Sequence, residues 1–356
     1  MALADLVNRY AAHPRLNELG ERISMSAPER IHLSGLQGSA SAFLLAAAHQ
    51  RSDFSTMNHL VVLDSAESAA YFHNALESLT GALDLFYYPA SYKSPRDFIR
   101  LSSSHVMLRT EALMRFSRGG NKKILVTYPQ ALLEKVESAT QYADHVITIK
   151  TGDSLDVPAL LLKLDAHRFQ RTDFVYEPGQ YAIRGGILDV FSYASDWPYR
   201  LELYRDCAER LRTFDPESQL TVKEIDKAVI LPNLQADLLE QGQQSLVSYF
   251  PTQTVLWHSN WSMLMASAEE RWNGVPDDLQ RWLTSPDEWF DLLMGFKRVL
   301  LEADGGQDPR TKAAYGPGPS YKWTFHTTEQ PVMRKQFDRL VATGRELSEQ
   351  GYRLFL

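Results

Sequence analysis

Short apolar runs alternate with helix-period segments along residues 30–127, and this alternation leaves the chain few folds to choose from. Arg30-Ile-His-Leu-Ser34, His59-Leu-Val-Val-Leu-Asp64, Asp84-Leu-Phe-Tyr-Tyr88 and Lys123-Ile-Leu-Val-Thr127 each read as a strand. Between them lie an alanine-rich helix from Ser39 to Gln50, a helix from Ser65 to about Leu79, and a helix from Val106 to Phe116. A strand, a helix and a second strand close most readily as a right-handed crossover between parallel neighbours. The rhythm therefore predicts an α/β fold with a mostly parallel, doubly wound sheet. Ahead of it, Leu3, Leu6, Val7 and Tyr10 share one face of an amphipathic helix that covers the first 20 residues.

The rhythm breaks from about His145 to Pro232. His145–Lys150, Asp173–Tyr176, Gly186–Phe191 and Tyr199–Tyr204 read as short strands. Pro178-Gly179, Gly185-Gly186 and Asp215-Pro216 supply the turns, and one helix runs from Val157 to His167. This is the pattern of an α+β unit inserted into an α/β chain. The α/β pattern then resumes, with a helix from Leu234 to Val247, a strand Thr254–Trp257 and a helix Trp261–Asn273. Residues 304–320 read as loop, and Phe337, Leu340, Val341 and Leu347 line one side of a polar helix from Met333 to Gln350. A length of 356 residues, at about 150 per domain, allows two or three domains. The divisions fall at 1–142 and 233–325 for the two parts of the α/β unit, 143–232 for the insertion, and 326–356 for the start of a following domain. Gly351-Tyr-Arg-Leu-Phe-Leu356 reads as a strand just beginning, as expected of a piece of a longer protein.

Composition excludes several classes. Acidic residues outnumber basic ones, 44 to 37, so the chain as a whole is not a nucleic-acid-binding surface. Cys207 is the single cysteine, which rules out an internal disulfide or a cysteine-built zinc site and favours a reducing, cytoplasmic setting. No run reaches the ~18 apolar residues of a membrane span. The ten histidines show no metal-ligand spacing. Trp257, Trp261, Trp272, Trp282 and Trp289 crowd one region without interleaved basic residues, which suits core packing better than base stacking.

A nucleotide phosphate would sit at the strand–turn–helix near residue 35. A phosphate loop needs glycines for backbone approach, a lysine for the phosphates, and a Ser or Thr for magnesium. Gly35, Gly38 and Ser39 fit that outline. Ala40 replaces the last glycine, Ser41 the lysine and Ala42 the magnesium hydroxyl. The plainer expectation is a helix N-terminus capped by Ser39.

The segment Phe169-Gln-Arg171-Thr-Asp-Phe-Val-Tyr-Glu-Pro-Gly-Gln-Tyr-Ala-Ile-Arg184-Gly-Gly-Ile-Leu-Asp-Val-Phe191, with Pro198–Tyr204 and Leu211–Gln219, is similar to the inserted domain of bacterial UvrB and of the transcription-repair coupling factors (Mfd). Pro129–Lys135 and Val229–Pro232 extend the resemblance to either side. The resemblance implies a RecA-like, P-loop-type sheet split by a domain that docks UvrA. In this family an Asp-Glu pair follows a Tyr-Phe-Pro and a strand; here Tyr249-Phe-Pro251 is followed by Ser259 and Asn260. Neither carries the charge a magnesium site needs. The resemblance thus implies a fragment without chemistry or cofactor of its own, with ATP and magnesium used only in a downstream motor. UvrA contacts are expected at Arg171, Arg184 and Phe191. RNA polymerase and DNA are expected to bind through later domains, and no membrane is involved. The span from Tyr88 to Arg109 looks too short for the tyrosine-rich hairpin with which UvrB clamps DNA. The alternative is a UvrB-like helicase module that still binds ATP and DNA.

Overall fold

The computed structural model describes residues 3–24, 30–51, 54, 56–81, 84–91, 103–138, 146–193, 195–232, 243–302, 320–328 and 337–351. Seven parallel strands form the main sheet: β1 (Arg30–Ser34), β2 (His59–Val62), β3 (Leu85–Tyr87) and β4 (Ile124–Thr127) from the first segment, and β15 (Val255–His258), β16 (Lys297–Glu302) and β17 (Ser320–Thr324) from the second. Their order is β17-β1-β16-β15-β2-β4-β3. Every residue of β2, β4 and β15 is buried, as expected of parallel strands covered on both faces. The fold is thus α/β with a parallel sheet, and both flanking segments contribute to it.

The helices of this unit are α1 (Leu3–Ala11), α2 (Pro14–Ser24), α3 (Ala40–His49), α4 (Ala66–Thr80), α5 (Ser103–Ser117) and α6 (Pro129–Leu132). The amphipathic helix expected over the first 20 residues is therefore two. Pro14 cannot donate a backbone hydrogen bond inside a helix, so it starts the second one instead. Nearly all of α3 is buried, which its alanines allow by letting neighbouring backbones approach closely. Ser65 caps α4 by accepting from Ser68 N–H at 3.1 Å. Lys123 turns inward and donates to the carbonyls of Arg115 and Gly119 at the end of α5.

The chain leaves and re-enters this unit through paired strands. β5 (Val136–Glu137) pairs antiparallel with β14 (Gln243–Gln244), and β6 (Ile147–Lys150) with β13 (Lys227–Ile230). Inside lie α7 (Val157–Ala166) and a six-stranded sheet: β7 (Gln170–Arg171), β8 (Gln180–Arg184), β9 (Ile187–Val190), β10 (Tyr199–Tyr204), β11 (Cys207–Phe214) and β12 (Thr221–Ile225), ordered β12-β11-β10-β9-β8-β7. This unit has its own core, with Leu160 and Leu164 of α7 against Tyr181, Leu188, Val190, Leu201 and Leu211. Gly185 turns between β8 and β9 at φ +60°, and a side chain on Gly186 would meet the Leu203 carbonyl at 2.7 Å.

Other expectations change. Asp173–Tyr176 is irregular, because only Gln170–Arg171 reaches the sheet edge. Residues 234–242 lie outside the described residues; the rest of the helix expected there is β14 and a 3₁₀ turn at Leu246–Tyr249, where Ser245 accepts from Val247 N–H. The helices after β15 are α8 (Trp261–Asn273), α9 (Asp277–Gln280), α10 (Pro286–Met294) and, last, α11 (Phe337–Glu349). The sequence reading missed β16, and it missed α10 although Ser285-Pro-Asp-Glu288 is a helix-start signal. Trp257, Trp261 and Trp289 are core residues, and the last two stack with ring centroids 5.9 Å apart. The expected loop at 304–319, the residues of the hairpin span at 92–102, the helix start at Met333 and the tail after Gly351 lie outside the described residues.

Three buried histidines couple this core to pH. Trp257 Nε1 donates to His59 Nδ1 at 3.1 Å, and His49 packs edge-on at 5.7 Å between ring centroids. Burial holds His59 and His258 down at about 3 and His49 at about 4. Neutral in the fold, they contribute stability that is complete above the unfolded histidine value near 6.5 and is lost as pH falls to about 4 for His49 and about 3 for His59 and His258. The expected loss is about 2 kcal/mol per histidine at pH 5. Urea midpoints that match at pH 7 and pH 5 would contradict it.

Candidate functional site

Two places collect the candidate residues. The first is the turn between β1 and α3. Gly35 and Gly38 both adopt positive φ, +73° and +56°. A side chain on Gly35 would collide with the Phe325 carbonyl. Thr327 Oγ1 donates to Gly35 O at 2.8 Å and accepts from Gln37 N–H at 2.7 Å, so part of the turn's backbone is already engaged by the chain itself. Ser39 is exposed and its hydroxyl caps nothing, which corrects the expected capping role; its φ of −80° and ψ of 3° keep it out of the extended geometry a capping side chain uses. Ala40 opens α3, Ser41 is half-buried and Ala42 is buried.

Beside this turn lies an open cavity of about 490 Å³, lined by Leu36, Gly38, Ser39, Ser41, Ala42, Leu63, Ser68, Phe72 and Leu301 among others. It sits at the carboxyl edge of the parallel sheet, where α/β folds commonly bind ligands. No charged side chain is among its lining residues. Among the described residues that line it, none offers a cation to a triphosphate or a carboxylate to magnesium.

Ser259 and Asn260 follow β15 at the same edge. One strand, β16, separates β15 from β1, so the turn and this pair are two strand spacings apart, about 10 Å. Asn260 caps α8 by accepting from Ser262 N–H at 2.9 Å. Ser259 donates its N–H to Val62 O, and its buried Oγ has no hydrogen-bond partner among the described residues.

The second place is the inserted sheet. Residues opposite one another in register share a face, so the face away from α7 can be read across the strands. It carries Ala182 and Arg184 of β8, Asp189 of β9, Arg200 and Glu202 of β10, Arg210 and Arg212 of β11, and Glu224 of β12. Asp189 is fully buried at its centre. Arg200 grips both its oxygens, at 2.7 and 2.8 Å, and Arg184 adds a bond of 2.6 Å. Arg212 pairs with Glu202 and Arg210 with Glu224. Arg184 also donates to the Asp173 carbonyl and lies 4.7 Å over the Phe174 ring, yet stays 36% exposed. Its neighbours Phe174 and Tyr176 are about half exposed, at 48% and 54%.

The three expected contact residues are not brought together. Arg171 is exposed on the edge strand β7, level with Tyr181, and therefore on the face opposite to Arg184. Phe191 is a correction. It is 5% exposed, packed with Val175, Ala182 and Phe214 under the loop, and offers a partner almost no area. Its alternation with Ile187 and Asp189 put it on the correct face but could not show that loop 173–177 covers it. Sequence reading missed Asp189, Arg200, Phe174 and Tyr176. A lone carboxylate within the apolar run Ile187-Leu-Asp-Val-Phe191 was the available signal, since a buried charge demands a partner.

Comparison with known proteins places these features. Residues 147–235 match the family described as the UvrB interaction domain, beginning with β6 and extending just past β13. The chain is 31% identical over 174 residues to the transcription-repair-coupling factor of Haemophilus influenzae, covering 49% of this chain and 15% of that protein. It is 27% identical over 215 residues to that of Escherichia coli (59% and 18%) and 29% over 212 residues to that of Myxococcus xanthus (58% and 18%). The chain thus spans less than a fifth of the length of these curated relatives. Among the described residues, no helix is long and apolar enough to cross a membrane, and no three His, Cys, Asp or Glu side chains group to hold a metal.

Replacing Asp189 with Ala removes the buried carboxylate between two guanidinium groups, leaving Arg184 its contacts to Asp173 and Phe174 and Arg200 its bonds to Gln219. The expected loss is about 3 kcal/mol in urea unfolding. A loss below about 1 kcal/mol would mean that the arginines are held by other contacts.

Proposed function

We propose that this chain, which carries a UvrB interaction domain and is similar over about half its length to transcription-repair-coupling factors, is the part of such a factor that recruits UvrA during transcription-coupled repair. The inserted domain is the docking module, and its open charged face is the contact surface. The observation that carries this reading is the Arg184–Phe174 pair on that face, within the matched residues. Arg200 already satisfies both Asp189 oxygens, so Arg184 is the surplus cation, partly exposed and flat on an exposed ring. Arginine and aromatic side chains dominate the energetics of protein interfaces, and a forked guanidinium suits a partner's carboxylate. Arg171 contributes from the sheet edge.

The α/β unit is a scaffold with an inactive nucleotide site. It keeps a phosphate loop's outline, and its cavity lacks the charges that phosphoryl chemistry requires. Binding of RNA polymerase and DNA, and the ATP-driven motor, belong to other parts of the parent protein. The alternative, a UvrB-like module that still binds ATP, is separated by titration. A fluorescent ATP analogue is expected to show no magnesium-dependent binding, and micromolar affinity would overturn the inactive-site reading.

Docking is tested by UvrA capture. Arg184→Glu is expected to weaken the complex at least tenfold, with Phe174→Ala weakening it in the same direction and leaving the Asp189 cluster in place. Arg171→Ala is expected to have the smaller effect. Undiminished capture by all three variants would remove the proposed site and leave a structural restraint as the module's role.

A further inference from the structure

We infer that β17 is a detachable edge strand, and that the glycine turn after β1 is the seat for the latch that holds it. Among the described residues, β17 has a single strand neighbour, β1. Unlike the fully buried β2, β4 and β15, it exposes Ser320, Lys322 and Thr324 and only half-buries Tyr321 and Trp323. A strand with little apolar burial belongs to the low-stability end of a fold.

Polar contacts make up the difference. The Arg22 guanidinium lies 4.0 Å over the Tyr321 ring and donates to its hydroxyl at 2.9 Å. Arg15 donates to the Thr324 carbonyl and lies 5.3 Å over the Phe325 ring. Ser34 and Thr324 share a hydroxyl hydrogen bond of 3.1 Å. The Phe325 N–H donates to Ser34 O at 2.7 Å, and its carbonyl occupies the space that the missing Gly35 side chain leaves free. Thr327 then closes the seat by bonding Gly35 O and Gln37 N–H with one hydroxyl. A turn with the outline of a phosphate loop therefore has a present occupant, the chain's own Phe325–Thr327.

Limited trypsin digestion of the full chain, with cleavage at Lys322 followed by mass spectrometry, tests the latch. Lys322 is exposed, but as part of a paired strand it is cut only after β17 lets go. Thr327→Val keeps the shape and the 3.2 Å backbone bond from Thr327 N–H to Gly35 O but removes both hydroxyl hydrogen bonds, and is expected to speed cleavage at Lys322 about tenfold or more. Thr327→Ser keeps the hydroxyl and is expected to be cut at the wild-type rate. Gly35→Ala, which fills the seat, is expected to match Thr327→Val. Wild-type cleavage of Thr327→Val, or equal acceleration by Thr327→Ser, would overturn the latch. The inference builds on the inactive-site reading, but ATP binding by the wild-type chain would defeat only that reading, whereas unchanged cleavage would defeat only the latch.

Discussion

β1 has no hydrogen-bonding neighbour from its own segment of the chain. Both its partners, β16 and β17, come from beyond the insertion, with Arg30 beside Arg298 on one side and Ser320 on the other. Buried backbone groups must be paired, so the strand that carries the glycine turn is complete only when the distant segment has returned. Such non-local pairing brings its loop-closure cost before its reward. Everything between the two segments must therefore keep its ends together. The β5–β14 and β6–β13 pairs meet that requirement, bringing the outgoing and returning chain side by side before the six-stranded sheet begins.

This arrangement separates the two units physically. The α/β unit devotes its interior to apolar contacts, neutral histidines and stacked tryptophans, and its carboxyl edge to a turn occupied by its own chain. The inserted unit buries one sheet face under α7 and leaves the other decorated with paired charges. An antiparallel sheet tolerates that asymmetry, whereas the parallel sheet does not. The inserted sheet can therefore carry charged groups on one face, which the parallel sheet, covered on both faces, cannot.

Much of the architecture was legible because hydrophobic periodicity survives in single elements. β2, β4 and β15 are each apolar at three of four positions, and α4 begins at a serine cap, so each announces itself locally. β16 holds only a short apolar run, Val299–Leu301, behind Lys297 and Arg298, and Lys297 is half-buried by bonding the distant Ile23 carbonyl. β17 mixes exposed and half-buried positions at a sheet edge, where pattern is weakest. Ser39 has the right residue type for a cap, yet the turn ahead of it gives it the wrong backbone angles. In the candidate surface, Arg184 was found by resemblance, while Phe174, Tyr176 and Arg200 belong to it only through folding.

What the residue order determined alone is the α/β class, the position of the insertion, and a glycine turn at residues 35–42 that contains no lysine or carboxylate. These depend on residue type and short-range spacing. The tertiary structure decided which sheet strands adjoin, that Arg171 and Arg184 lie on opposite faces, that Phe191 is core, and that Thr327 sits in the turn. Register, face and occupancy are relations between segments far apart in the chain, and local pattern carries no information about which of them will meet.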